Sequence, residues 1–146
     1  MRSNQLHTFI SAMFLFATIS MSAQGVEKTL VQSFNLQGNK SVELDVKLPV
    51  EVQTWDSDIL RVQMNIEMKN GSEGLLKSLV TARRYNLEYK VENGNFIIYA
   101  PSIDREVKIG GQPIQENITL VVFLPEDVAL DTKEEGDGEQ ATSSMR

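Results

Sequence analysis

One histidine and no cysteine occur in the 146 residues, and the histidine is His7, near the start of the chain. Ser-His-Asp and Cys-His nucleophile systems and the usual zinc ligand sets therefore lack a required residue type, which leaves carboxylate, Lys or Tyr chemistry. Glycoside hydrolysis needs only two Asp or Glu roughly 5 to 9 Å apart across a cleft. Carboxylates are plentiful, yet no pair stands out. Glu43 and Asp45, and Arg61 with Glu67, fall on the solvated positions of alternating segments, where charge keeps a sheet soluble and discourages edge pairing. Asp56-Ser57-Asp58 begins like a calcium loop, but the sixth position is Arg61 where a Gly is required, and Ile59-Leu60 return at once to a strand pattern. An Asx-type turn is the expectation there, with no metal and no cofactor assigned. These residues read as a non-enzyme.

Recognition is the chemistry that remains. Trp55, the single tryptophan, shares parity with Glu51 and Gln53, so strict alternation points its indole outward. An outward ring can stack on a sugar or anchor a protein contact. Tyr99 is a candidate neighbour on an outward parity, and Asp56 and Asp58 complete the candidate binding set. The competing reading makes Trp55 a plug folded over the rim of a core, since turn residues often escape strand parity.

The elements that would position these groups read as all-β with one short helix, a β-sandwich or solenoid-like β-roll of seven to eight short strands. Val42, Leu44, Val46 and Leu48 alternate with charged and polar residues, and Pro49 then marks a bend or a change of sheet. Leu60, Val62, Met64, Ile66 and Met68 give the cleanest alternation, and a one-residue slip would expose all of them. "NGSEGLLKSLVTARRY" breaks the pattern. Ser72 can cap a helix, Leu75, Leu76, Leu79 and Val80 form its apolar stripe, and Glu73 and Arg83-Arg84 complement its dipole. Such a stripe should lie across the open side of a sheet.

Asn93-Gly94 predicts a type I′ hairpin between Tyr85–Val91 and Asn95–Ala100. Ser102–Ile109 reads as an exposed strand or a long hairpin arm ended by Gly110-Gly111. Asn117–Leu124 is apolar on both parities and should be central and covered on both sides, with a short strand after it at Val128–Asp131.

At the start, Arg2 precedes the apolar run FISAMFLFATI, which is long enough for a signal peptide and too short to span a bilayer. Residues 1–23 are expected to be removed after Ser22 or Ala23; a retained anchor is the alternative. That leaves one β-rich domain over 24–132 and an acidic tail over 133–146 that reads as disordered. Processing would take away one Arg and no acid, moving the net charge from −6 to −7, which opposes nucleic acid and anionic lipid as partners. The expectation is a chain exported by a Sec-type signal to the periplasm or the exterior, with no stable membrane span after cleavage.

The order "GNKSVELDVKLPVEVQTWDSDILRVQMNIEMKNG", a short helix, a hairpin and "ENITLVVFLPEDVAL" resembles the adhesin-like family of secreted Gram-negative bacterial β-proteins, which includes autotransporter-adhesin head-type and related domains of unknown function. The resemblance spans roughly residues 34–131 and rests on the Thr54-Trp55-Asp56 turn and the Leu124-Pro125-Glu126-Asp127 turn. It implies a roll or solenoid of short strands and carries no active site. This chain departs from longer members by running into its acidic tail where they continue with Gly-containing rungs. Its implied role is binding or structural association with an envelope protein or glycan. An envelope-stress or regulatory accessory protein, a carboxylate-based glycan-active enzyme, and homo-oligomerisation through strand edges stay open as alternatives.

Overall fold

Leu60, Val62, Met64, Ile66 and Met68 are all buried, so one face of their strand is committed to a core as the alternation requires. The structure, a computed structural model, describes residues 25–133. Along them run β1 (Val26–Asn35), β2 (Ser41–Asp45), β3 (Val50–Trp55), β4 (Ile59–Met68), α1 (Glu73–Thr81), β5 (Glu88–Glu92), β6 (Asn95–Tyr99), β7 (Lys108–Ile109), β8 (Gln112–Pro113), β9 (Glu116–Pro125) and β10 (Ala129–Thr132). The expected signal segment and the tail beyond Lys133 lie outside the described residues.

Two four-stranded mixed sheets hold eight of the ten strands, in the orders β1-β4-β9-β3 and β10-β2-β6-β5, while β7 and β8 make a separate two-stranded hairpin. β4 is antiparallel to both β1 and β9, and β3 runs parallel to β9. In the second sheet β10, β2 and β6 are parallel and β5 returns antiparallel. The inner faces meet as a sandwich: Phe34 of the first sheet meets Phe96 of the second edge-on at 6.2 Å, and Tyr89 stacks on Phe96 at 4.6 Å. All-β with one short helix is the fold, and the layering is a sandwich; the seven to eight expected strands correspond to the two sheets, with the hairpin additional.

Local chemistry sets the crossings. Pro49 does mark a change of sheet, since β2 belongs to the second sheet and β3 to the first. Gln37 and Gly38 sit at φ 53° and 82°, and Asn39 N–H closes onto Leu36 C=O at 2.9 Å, carrying the chain from β1 to β2. Asn93 and Gly94, at φ 51° and 81°, form the expected tight turn between β5 and β6.

β1, β4 and β9 have ten residues each, whereas the strands of the second sheet have four or five. The shorter sheet cannot cover the whole inner face of the longer one. Helix α1 supplies Leu76 to the same buried core as Ile66 and Met68, with Leu75, Leu79 and Val80 packed against it. Ser72 caps it, its Oγ accepting from Leu75 N–H at 3.2 Å.

Three expectations are corrected. Arg83 stays exposed at the helix end, at φ 60°, and its N–H donates to Val80 C=O at 3.0 Å, but the Arg84 side chain turns into the interior and does not complement the dipole. Ser102–Ile109 is not a continuous strand: it is largely exposed as expected, but its first residues form a turn that buries Ile103, and only Lys108–Ile109 form a hairpin arm, with Gly110-Gly111 at its tip. β9 is central but, among the described residues, has a layer on one face only; Val121 and Phe123 on its outer face are half-buried.

Candidate functional site

β9 lies between β3 and β4, so residues 56–58 joining those two strands must arch over the end of β9. Trp55 is in register with Pro125 there and keeps the outward parity of Glu51 and Gln53. Its indole is nevertheless half-buried and held on three sides. Nε1–H donates to Ile59 C=O at 3.0 Å, the ring lies 5.6 Å from Phe123, and the Arg61 guanidinium sits 4.5 Å over it. Trp55 thus points outward as parity demands and clips β3 and β4 across the inserted strand. The arch itself is closed by Ser57, whose Oγ accepts from Ile59 N–H at 3.3 Å, in place of the expected aspartate-based turn.

The other candidates do not gather around it. Asp56 is exposed, and Asp58 lines a hollow of about 290 Å³ shared with the β1–β2 connection, where Lys40 pairs with Asp127. Tyr99 belongs to the second sheet, on its outer face, and donates to Glu88 at 3.2 Å. It is also at the far end of the parallel β2-β6 pair from the turn that carries Asp127. Parity along one strand carries no information about which sheet a distant strand joins, so the proposed Trp55–Tyr99 pairing is not formed.

The two outer faces differ in chemistry. That of the second sheet carries Glu43, Asp45, Glu88, Lys90 and Glu92, and Lys133 pairs with Glu43 at 3.0 Å and Asp45 at 3.2 Å. The outer face of the first sheet is dominated by amides, hydroxyls and aromatic rings. Cross-strand rows place Thr29, Asn65 and Thr119 together, then Gln63 beside Val121, then Arg61 beside Phe123. Asn65 Oδ1 accepts from Thr29 Oγ1 at 3.0 Å and from Gln63 Nε2 at 3.1 Å, so both of its acceptor positions are used and its NH₂ has no partner among the described residues. One row further on, Glu27 and Glu67 are direct cross-strand partners and Asn117 Nδ2 donates to Glu67 at 3.4 Å. These residues line a shallow cleft of about 280 Å³. A larger hollow of about 430 Å³ lies between the sheet edges β3 and β10, lined by Val46–Val50, Val52, Thr132 and Lys133. Among the described residues no three Asp, Glu, His or Cys gather as a metal-holding group.

One buried polar cluster was invisible to the pattern. Arg84 donates to Glu116 through Nη2 at 2.7 Å and Nε at 3.1 Å, and to the backbone carbonyls of Ser102 and Arg105 at 3.2 and 2.8 Å. Tyr85 donates its hydroxyl to Glu116 Oε1, the oxygen that also accepts from Arg84 Nε. Both charged side chains are under a tenth exposed. Burial pushes the Tyr85 phenol well above its ordinary pKa, and the hydrogen bond and charge of Glu116 push the same way. Burial acts to lower the Arg84 pKa, but the Glu116 hydrogen bond and charge outweigh it and the net shift is upward. Every strong donor is satisfied, so the cluster ties the helix exit, the 102–105 turn and the start of β9 together and offers nothing to a substrate. The signal that could have found it was Arg84-Tyr85 placed beyond a helix end whose positive charge the dipole did not need.

No family model and no curated protein matches this chain. Among solved structures it resembles a protein from Clostridium sporogenes provisionally assigned to cell adhesion, at 10% sequence identity and a TM-score of 0.40, over 75% of this chain and 47% of that one. The chain therefore spans about half the length of that neighbour.

Proposed function

We propose that this chain is an exported, non-enzymatic β-sandwich that works by binding, an adhesin-like module of the envelope or cell surface whose contact surface is the outer face of the first sheet. The observation that carries this reading is the oriented amide and hydroxyl network around Asn65 on a sheet face over which no layer lies among the described residues. The leader-like start of the chain and the resemblance to secreted β-proteins support export, to the periplasm or the exterior, and no helix among the described residues is long and apolar enough to cross a membrane. Photo-crosslinkers placed at Val31, the exposed cross-strand neighbour of Gln63, and, as the control, at Lys90 on the second sheet test the surface, and fractionation of tagged cells tests export. Envelope crosslinks at Val31 alone are expected; equal labelling from both faces, or a cytoplasmic product, refutes the reading.

The direct pairing of Glu27 with Glu67 in a cleft favours a second reading, a carboxylate enzyme acting on glycans. Glycan turnover that Ala at either position abolishes would replace the first reading with that one.

A further inference from the structure

We infer that the cleft around Asn65, and not the ring of Trp55, binds a neutral, linear glycan laid along β4 and β9; this rests on the outer face of the first sheet being the contact surface. Three features single out this chemistry. First, the Asn65 amide, which lines the cleft, is pre-oriented by Thr29 and Gln63, which use its carbonyl, while its NH₂ has no partner among the described residues. Beside it stand the Thr119 hydroxyl and the Glu67 carboxylate, the latter steadied by Asn117. A vicinal diol matches such a pair, because one hydroxyl donates to a carboxylate while its neighbour accepts from an amide.

Second, like charges directly across an antiparallel pair are destabilising, yet Glu27 and Glu67 are held opposite each other at the end of the cleft. With Lys28 also lining the cleft, the two carboxylates still leave it net negative, which disfavours anionic polymers, and their oxygens accept from neutral hydroxyls. Third, β4 and β9 are both flanked by paired strands, so their backbone groups are spent in the ladder and none is left to add a peptide strand. From Glu67 to Arg61 the face runs about 20 Å along β4, at about 3.4 Å per residue, enough for a short oligosaccharide. The Arg61 guanidinium already occupies the face of Trp55, so the indole closes one end of the track and is not itself the stacking platform.

The test titrates the purified protein with a neutral cello-oligosaccharide, with polygalacturonate as the anionic control, in the presence of a chelator. Binding of the neutral probe is expected, weakened ~10-fold by Asn65→Ala and ~5-fold by Thr119→Val, since each removes a hydrogen bond made to a ligand. Tyr99→Phe on the opposite sheet should leave it unchanged, and denaturant unfolding of each variant confirms that the fold is intact. Preference for the anionic polymer, affinity unaltered in both variants, or binding only when a divalent cation is restored would each overturn the inference. Protection of the Val31 crosslinker by an extended peptide and not by the glycan would overturn it while leaving the binding function standing.

Discussion

Replacing Glu116 by Gln changes one atom type and almost no volume, so it isolates the charge at the centre of the buried cluster. Gln can still accept the Tyr85 hydroxyl bond, but it places an uncharged group, half of it a donor, against a guanidinium that is under a tenth exposed. Removing one partner from a buried pair typically costs about 3–5 kcal/mol because the remaining charge is stranded away from water. For a domain of this size the fall in melting temperature would be roughly 12–20 °C. Urea unfolding followed by far-UV circular dichroism on Glu116→Gln, Arg84→Met and the double variant reads the effect. The double variant no longer buries a lone cation, so it should recover at least about 1 kcal/mol relative to the sum of the single effects. A cost under about 1 kcal/mol for Glu116→Gln, or strict additivity in the cycle, would show that the guanidinium reaches water and that the clamp does not hold the helix exit.

Emission from the single tryptophan should be blue-shifted and resist acrylamide, and Arg61→Ala should raise the quenching severalfold by uncovering the ring while costing about 0.5–2 kcal/mol of cation–π and packing energy. Gly71→Ala would place a Cβ only 2.0 Å from the sulfur of Met68, a side chain with no exposure, so thermal denaturation should register a loss of about 1–3 kcal/mol from overpacking. The raised pKa of Tyr85 makes a pH prediction with a definite sign. The folded state keeps the phenolic proton past the pH of about 10 at which the unfolded chain releases it, so the contribution is intact below about pH 10 and is lost as pH rises toward the folded pKa. Denaturant midpoints measured across that alkaline range should fall more steeply for the parent than for Tyr85→Phe, and an equal slope in both would refute the assignment.

Much of the architecture was legible along the chain. The alternation from Leu60 to Met68 identified a buried strand face, Pro49 a change of sheet, Asn93-Gly94 a hairpin and Ser72 a helix start, because each depends on neighbours within a few residues. Outward parity at Trp55 was also correct, since pleating alone sets it.

What only the tertiary structure decided is which distant segments meet. β9 begins 48 residues after β4 ends yet enters between β3 and β4, and that insertion turns Trp55 into a clip under Arg61. The same long-range pairing puts Tyr99 on the other sheet, draws Arg84 and Tyr85 onto Glu116, and sets Asn65 beside Thr29 and Thr119. Strand periodicity gives each side chain a face but carries no address for the partner strand. Sheet order is settled by the whole core closing at once, with the long sheet needing both a shorter sheet and a helix to cover it. The candidate surface is a product of that closure, which is why composition and spacing pointed to a binding protein while the cleft itself appeared only in the folded chain.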